Sequence, residues 1–198
     1  MEIPISKEWL EQLHSVLKII YQNTEDPIGS AIPLVKDYND TLLNVCVDRH
    51  NAKMYGKVIY PHVLQKAAVL MHSIIVFHPF VDGNKRTALI AVDFYLHWNG
   101  YDFEIPYEAD YFTISVAKGE QNLNAILNWL VSNSKRTVAS VIRHWCCEQG
   151  IDLYSLTGLI GRKDSIYVPF HAVKFFRYKI QKAQQKRTEA KKSINPDK

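Results

Sequence analysis

The stretch His78-Pro79-Phe80-Val81-Asp82-Gly83-Asn84-Lys85-Arg86-Thr87 gathers an imidazole, a carboxylate, a glycine, an amide and two cations into one short segment. A helix-spaced apolar run follows it directly. A turn through Asp82-Gly83-Asn84 that empties into a helix presents the helix's first N–H groups. Those groups lack internal partners and carry partial positive charge, so they attract anions. Gly83 leaves the backbone open to close approach. Asn84 adds an amide donor. Lys85 and Arg86 add charge, and the arginine fork matches two phosphate oxygens. Gly83, Asn84, Lys85 and Arg86 together read as a nest for a polyphosphate. Asp82 beside them is a hard ligand of the kind that holds Mg²⁺ alongside phosphate and water. His78, at the mouth of the loop, supplies a general base. Phe80 is expected to point inward and anchor the loop, and Pro79 to stiffen it. Alternation along an extended stretch predicts His78, Phe80 and Asp82 on a common side. Taken singly, His78 reads as a core or capping histidine and Asp-Gly-Asn as a plain turn. Their conjunction is what points to chemistry.

The elements that must position this loop are helical. Val63, Leu64, Ala67, Ala68, Met71, Ile74 and Ile75 form a 3.6-residue stripe that predicts a helix from Pro61, in its first turn, to about Phe77. It stops there because the residue before Pro79 resists helical geometry. A second helix, from the Asn84 region through Trp98, is apolar around most of its circumference and is therefore central. Asn99-Gly100 supplies its left-handed stop. Upstream, Ser6 caps a helix reaching about Gln22, with Trp9, Leu10, Leu13, Leu17 and Ile20 on one face. A loop spans 24–33, and a short helix spans Asp40 to Arg49. Asn51 to Ile59 fits neither helix nor loop and reads as a short hairpin or flap. Two helices, near 107–117 and 121–132, complete the body, and a further one is expected over 137–149. Residues 151–169 suggest a small appendage with a hairpin, followed by a basic helix from Phe170 to about Lys192.

The chain has 198 residues and a composition ordinary for a globular protein, 47% hydrophobic and 22% charged. Its three cysteines match no zinc spacing and no paired framework, which points to reduced thiols in a cytoplasmic protein. No apolar run approaches the ~20 residues of a membrane span, so no membrane role is expected. The first residues lack the basic start and apolar core of a secretion signal. The net charge of +4 is uneven: residues 177–198 carry eight Lys or Arg against two acids. Such a tail is usually a solvated helix end, and nucleic-acid binding through it is a minor reading. Helix–turn–helix spacing around 138–160 is too weak a match to carry a DNA-reading unit.

His78 to Arg86 resembles the signature of the Fic/Doc (death-on-curing) family, His-Pro-Phe-x-Asp/Glu-Gly-Asn-Gly/Lys-Arg. Tyr60-Pro61, Lys66-Ala67-Ala68, Thr87-Ala88-Leu89 and Asn99-Gly100-Tyr101 extend the likeness toward Doc-type members. It is closest from Leu42 to Ile105, looser over 1–133, and absent beyond. The resemblance implies an all-α fold: a compact Fic/Doc-type helical bundle over 1–134 with a short flap hairpin, here followed by a C-terminal appendage over 135–198. It implies transfer of AMP or a phosphoryl group from ATP, with Mg²⁺, to a side-chain hydroxyl (Ser, Thr or Tyr) of a target protein. Carried over, His78 resembles the catalytic base, Asp82 the Mg²⁺ ligand, Gly83, Asn84 and Lys85 the anion nest, and Arg86 the phosphate-binding arginine. Lys53, Met54, Tyr55, Gly56 and Lys57 fall where the family has a flap that pairs with an extended target segment, although an ordinary connecting loop would also suit that stretch.

Two positions depart from the AMP-transferring pattern. Those members carry Gly where this chain has Lys85, and a second arginine where it has Leu89. Doc-type members share both departures and act as protein kinases, so the resemblance favours a Doc-like phosphotransferase or toxin. Fic-type AMP transfer is the alternative, and a non-catalytic nucleic-acid-binding or regulatory module the second. The family's inhibitory Ser/Thr-x-x-x-Glu segment has no counterpart here. Control is then expected from a separate antitoxin-like protein or from the appendage.

Overall fold

In a computed structural model, residues 5–22 and 38–148 are described. Among them lie seven helices and two small antiparallel strand pairs. In chain order the elements are α1 (Lys7–Gln22), α2 (Asp40–His50), β1 (Lys53–Met54), β2 (Lys57–Val58), α3 (Val63–Phe77), α4 (Asn84–Trp98), β3 (Asp102–Phe103), α5 (Ala109–Ala117), α6 (Leu123–Ser132), β4 (Ser134–Lys135) and α7 (Val138–Glu148). The fold is a helical bundle, as the Fic/Doc-like reading implies. The expected loop at 24–33, the hairpin at 151–169 and the basic helix beyond it lie outside the described residues.

Helices α3 and α4 form the centre. Ala67, Ala68, Leu70, Met71, Ile74 and Ile75 of α3 meet Ala88, Ile90, Ala91, Val92, Phe94 and Leu96 of α4 in one buried cluster. The small alanines let the two helices approach closely while the larger residues interlock. Leu10, Leu13 and Leu17 bring α1 onto this core, and Leu43 and Cys46 bring α2. Edge-on contact of Trp9 with Phe94, centroids 5.7 Å apart, and Trp9–Trp98 at 5.5 Å fix where α1 lies along α4.

The helix ends follow local chemistry. Ser6 Oγ accepts the Trp9 N–H at 3.2 Å, and Asn39 Oδ1 accepts the N–H groups of Thr41 and Leu42 at the head of α2. Helix α4 stops in a Schellman arrangement: Gly100 sits at φ 80°, and Tyr101 N–H donates to Leu96 O at 2.9 Å. Pro61 is not in the first turn of α3. The helix begins at Val63, because His62 is the extended cap residue and its N–H donates to Gln65 Oε1 at 3.3 Å.

Strands β3 and β4 are too short to show alternation in sequence. They pair Asp102 with Lys135 and Phe103 with Ser134. Helix α7 follows and is bonded to the end of α4. Ser140 Oγ donates to Gly100 O at 2.9 Å, Thr137 Oγ1 donates to Asp102 Oδ2 at 2.7 Å, and the His144 ring donates from Nδ1 to Trp98 O at 2.6 Å. β4 thus spans the expected boundary between 1–134 and 135–198, and the first helix after it is seated on the body.

A buried thiol in α2 and a half-buried histidine in α3 have shifted titrations. Burial pushes the Cys46 thiol up to about 12, which leaves it a neutral, inert core group. Burial and the neighbouring Arg49 charge hold the His72 ring below its ordinary value of 6.5. Arg49 lies 3.5 Å from His72 Nδ1 and also donates to Ser73 Oγ at 3.1 Å. The unfolded chain therefore takes up a proton at His72 before the folded one does. Stability from this group is full above about pH 6.5 and falls as the pH drops below it. Thermal melts from pH 7.5 to 5 should show that decline, and His72→Gln should flatten it.

Candidate active site

Helix α3 ends at Phe77, and His78 takes the left-handed conformation, φ 50° and ψ 57°. Non-glycine residues rarely adopt that region, histidine more readily than most. The kink turns the chain sharply out of the helix. Pro79 and Phe80 are buried, whereas His78 and Asp82 are exposed. The expected common side for His78, Phe80 and Asp82 is therefore not found: the left-handed turn breaks the alternation and sends Phe80 inward alone.

The loop is held on three sides. Tyr38 and Phe80 form an antiparallel bridge, and Asn39 N–H donates to Pro79 O at 2.7 Å. Beneath it, the His14 ring of α1 stacks on Phe80, with centroids 3.9 Å apart and planes 16° off parallel. His14 Nδ1 also lies 3.0 Å from Thr87 Oγ1 on α4, in a buried contact. Inside the loop, Asn84 Oδ1 accepts the Phe80 N–H at 2.9 Å and Asn84 Nδ2 donates to Phe80 O at 2.7 Å. This reciprocal pair fixes the amide's orientation, and the same Nδ2 lies 3.4 Å from His78 Nδ1. An amide N–H facing that nitrogen casts Nδ1 as the acceptor of this contact.

Gly83 is the N-cap of α4, at φ 78°. A side chain there would meet only ordinary contacts, 3.5 Å to the His14 ring and 3.7 Å to Arg86. The backbone angle, not lack of room, is what calls for glycine. Arg86 Nη2 donates to Asp82 Oδ2 at 2.9 Å across one helical turn. Lys85 is half-buried on the same first turn and makes no ion pair among the described residues. Leu89 is buried in the core, so one turn further along α4 no side chain is offered to a phosphate.

The expected site residues thus come together at one helix start. His78 and Asp82 stand exposed at the mouth. Gly83, Lys85 and Arg86 lie at the cap and first turn of α4. Asn84 is placed differently from its expected use: its side chain is spent on the Phe80 backbone, which leaves only its main chain at the helix head. His14 and Thr87 belong to the site's support and were not foreseen, since nothing in sequence links positions 73 residues apart. Among the described residues no group of three or more His, Cys, Asp or Glu gathers to hold a metal. The single carboxylate of Asp82 is a donor set that fits Mg²⁺ arriving with a polyphosphate, which supplies the other oxygens.

Residues 4–96, which contain this loop and the helices that hold it, match the model of the Fic/DOC family. A curated relative, "Toxin Doc" of Mycolicibacterium smegmatis (strain ATCC 700084 / mc(2)155), is 42% identical over 76 residues, which is 38% of this chain and 57% of the relative. The match thus spans little more than half of that protein's length.

At the position expected for a flap lies a two-stranded hairpin, β1–β2. It pairs Lys53 with Val58 and Met54 with Lys57. Its two turn residues, Tyr55 and Gly56, both have positive φ, 49° and 77°. That is the primed turn whose twist matches the strands. Every residue of the hairpin is exposed, and Tyr55 at its tip is 97% so.

Proposed function

We propose that this chain is a Doc-like enzyme that transfers the terminal phosphoryl group of ATP to a side-chain hydroxyl of a target protein. The observation that carries this reading is the exposed His78 at the end of α3, followed within one short loop by the Asp82–Arg86 pair at the head of α4. The buried Leu89 supports phosphoryl over AMP transfer, since it removes the second cation that AMP-transferring members use.

His78 accepts the proton of the target's hydroxyl as its oxygen bonds to phosphorus, and ADP leaves. Arg86 exchanges its Asp82 partner for phosphate oxygens, while Lys85 and the α4 N–H groups neutralise the rest of the charge. Asp82, released from Arg86, would hold Mg²⁺, which would screen the phosphate charge. Asn84 and His14 keep the loop from yielding. The flap hairpin offers strand edges to the target. The name of the Mycolicibacterium relative supports a toxin role, and with it a separate antitoxin-like inhibitor.

Incubation with α- and γ-labelled ATP, read by intact mass, tests the reaction. Phosphoryl transfer leaves only the γ label on protein. Retention of the α label makes AMP the transferred group, and no label on any target overturns the enzymatic reading. Asp82→Ala should lose activity and, with it, the Mg²⁺-dependent tightening of ATP binding in calorimetry. Undiminished Mg²⁺ dependence in that variant would remove the role given to Asp82.

A further inference from the structure

The flap hairpin is exposed on both faces, and its two strands take no third strand among the described residues. Its register decides which backbone groups face outward. Ile59 N–H donates to Ala52 O at 3.0 Å, so Ala52 and Ile59 form a hydrogen-bonded pair, as do Met54 and Lys57 beside the turn. Lys53 and Val58, between them, aim their N–H and C=O groups away from each other. Each edge therefore offers one open donor and acceptor to an incoming extended segment.

The side chains beside those edges follow a pattern. Directly opposite residues share a face, so Lys53 and Val58 lie on one face and Met54 and Lys57 on the other. A segment docked on either edge meets one lysine and one exposed apolar side chain, Met54 on one strand or Val58 on the other. No opposing charge lies nearby in the chain. From Arg49 to Val81 there is no Asp or Glu at all, while Arg49, Lys53, Lys57 and Lys66 fall within that run. The hairpin is thus a cationic strand edge with apolar footing.

We propose that the flap selects an extended target segment in which an acidic side chain alternates with apolar ones. This deepens the proposed function and rests on it, because the selected segment carries the hydroxyl. Cross-strand pairs of opposite charge stabilise docking, and like charges across the same pair oppose it. The lysines are exposed, so the preference is screened by salt.

The test uses the full chain with ATP and Mg²⁺ and two fluorescent nonapeptides. Each carries one central Thr and alternating Val, with Glu at the remaining positions in one and Lys in the other. Binding is read by anisotropy, and transfer by label on the peptide. The acidic peptide should bind roughly tenfold tighter at low salt, and the gap should shrink as salt is raised. Lys53→Glu combined with Lys57→Glu should reverse the order. Lys57→Glu alone, the milder change, should narrow it. Equal binding of the two peptides, or a preference that charge reversal leaves in place, overturns the proposal. Selective binding that reverses, without label on any peptide or protein, leaves the surface in place and removes the transferase reading instead.

Discussion

His78→Asn should lower the rate of transfer by about 10²–10⁴-fold, the usual worth of a general base, while ATP binding stays within roughly twofold. The choice of asparagine follows from the backbone. His78 sits at φ 50°, where alanine is strained but asparagine is tolerated. His78→Ala would remove the imidazole and also loosen the turn that leads into Phe80. A loss in that variant alone would mix two causes. His78→Asn keeps the turn and leaves no group able to take the proton. In the proposed mechanism the phosphate contacts belong to Gly83, Lys85, Arg86 and the α4 N–H groups, none of which depends on the imidazole. Calorimetry should therefore find ATP uptake in both variants. Single-turnover assays should find almost no transfer in either. A normal rate in His78→Asn would show that the ring is not the base.

The sequence was most informative where one residue settles its own local geometry. Pro79 ends α3 at Phe77, Asn99-Gly100 ends α4, and Ser6 and Asn39 cap their helices. The loop between α3 and α4 was legible for the same reason, because its glycine, carboxylate and cations are neighbours in the chain. Periodicity also identified which face each helix buries, but not which helix it meets. Nothing in α1 announces that His14 stacks under Phe80, or that its ring reaches Thr87. The β3–β4 pairing and the seating of α7 on Trp98 and Gly100 were hidden likewise, because two-residue strands carry no pattern and the bonds join distant positions. The alternation argument failed at His78 because it assumed an extended chain where the backbone turns left-handed. What differs there is the direction of the chain.

Asn84→Ala should damage both the fold and the reaction, although the side chain touches no substrate in the mechanism. The amide is buried and satisfies both backbone groups of Phe80, with bonds of 2.9 and 2.7 Å. Removing it leaves a buried N–H and a buried C=O unpaired, at about 1–3 kcal/mol each. A total near ~3 kcal/mol corresponds to a fall in melting temperature of roughly 6–12 °C for a chain of this size. The kinetic loss comes from position. Phe80 links His78 to Asp82, so a loop that shifts by about 1 Å misplaces the base relative to the phosphate, which costs up to ~10²-fold. Asn84→Asp separates the two effects of the amide. A carboxylate still accepts the Phe80 N–H, but its second oxygen faces Phe80 O and the Nδ1 side of His78, where the amide donated. That variant should lose activity at least as severely as Asn84→Ala, with the defect in kcat larger than in KM. Stopped-flow transfer and thermal melts on the two variants decide it. Unchanged melting and unchanged kcat in Asn84→Ala would show that the stacked His14 ring and the Tyr38 bridge hold the loop without the amide.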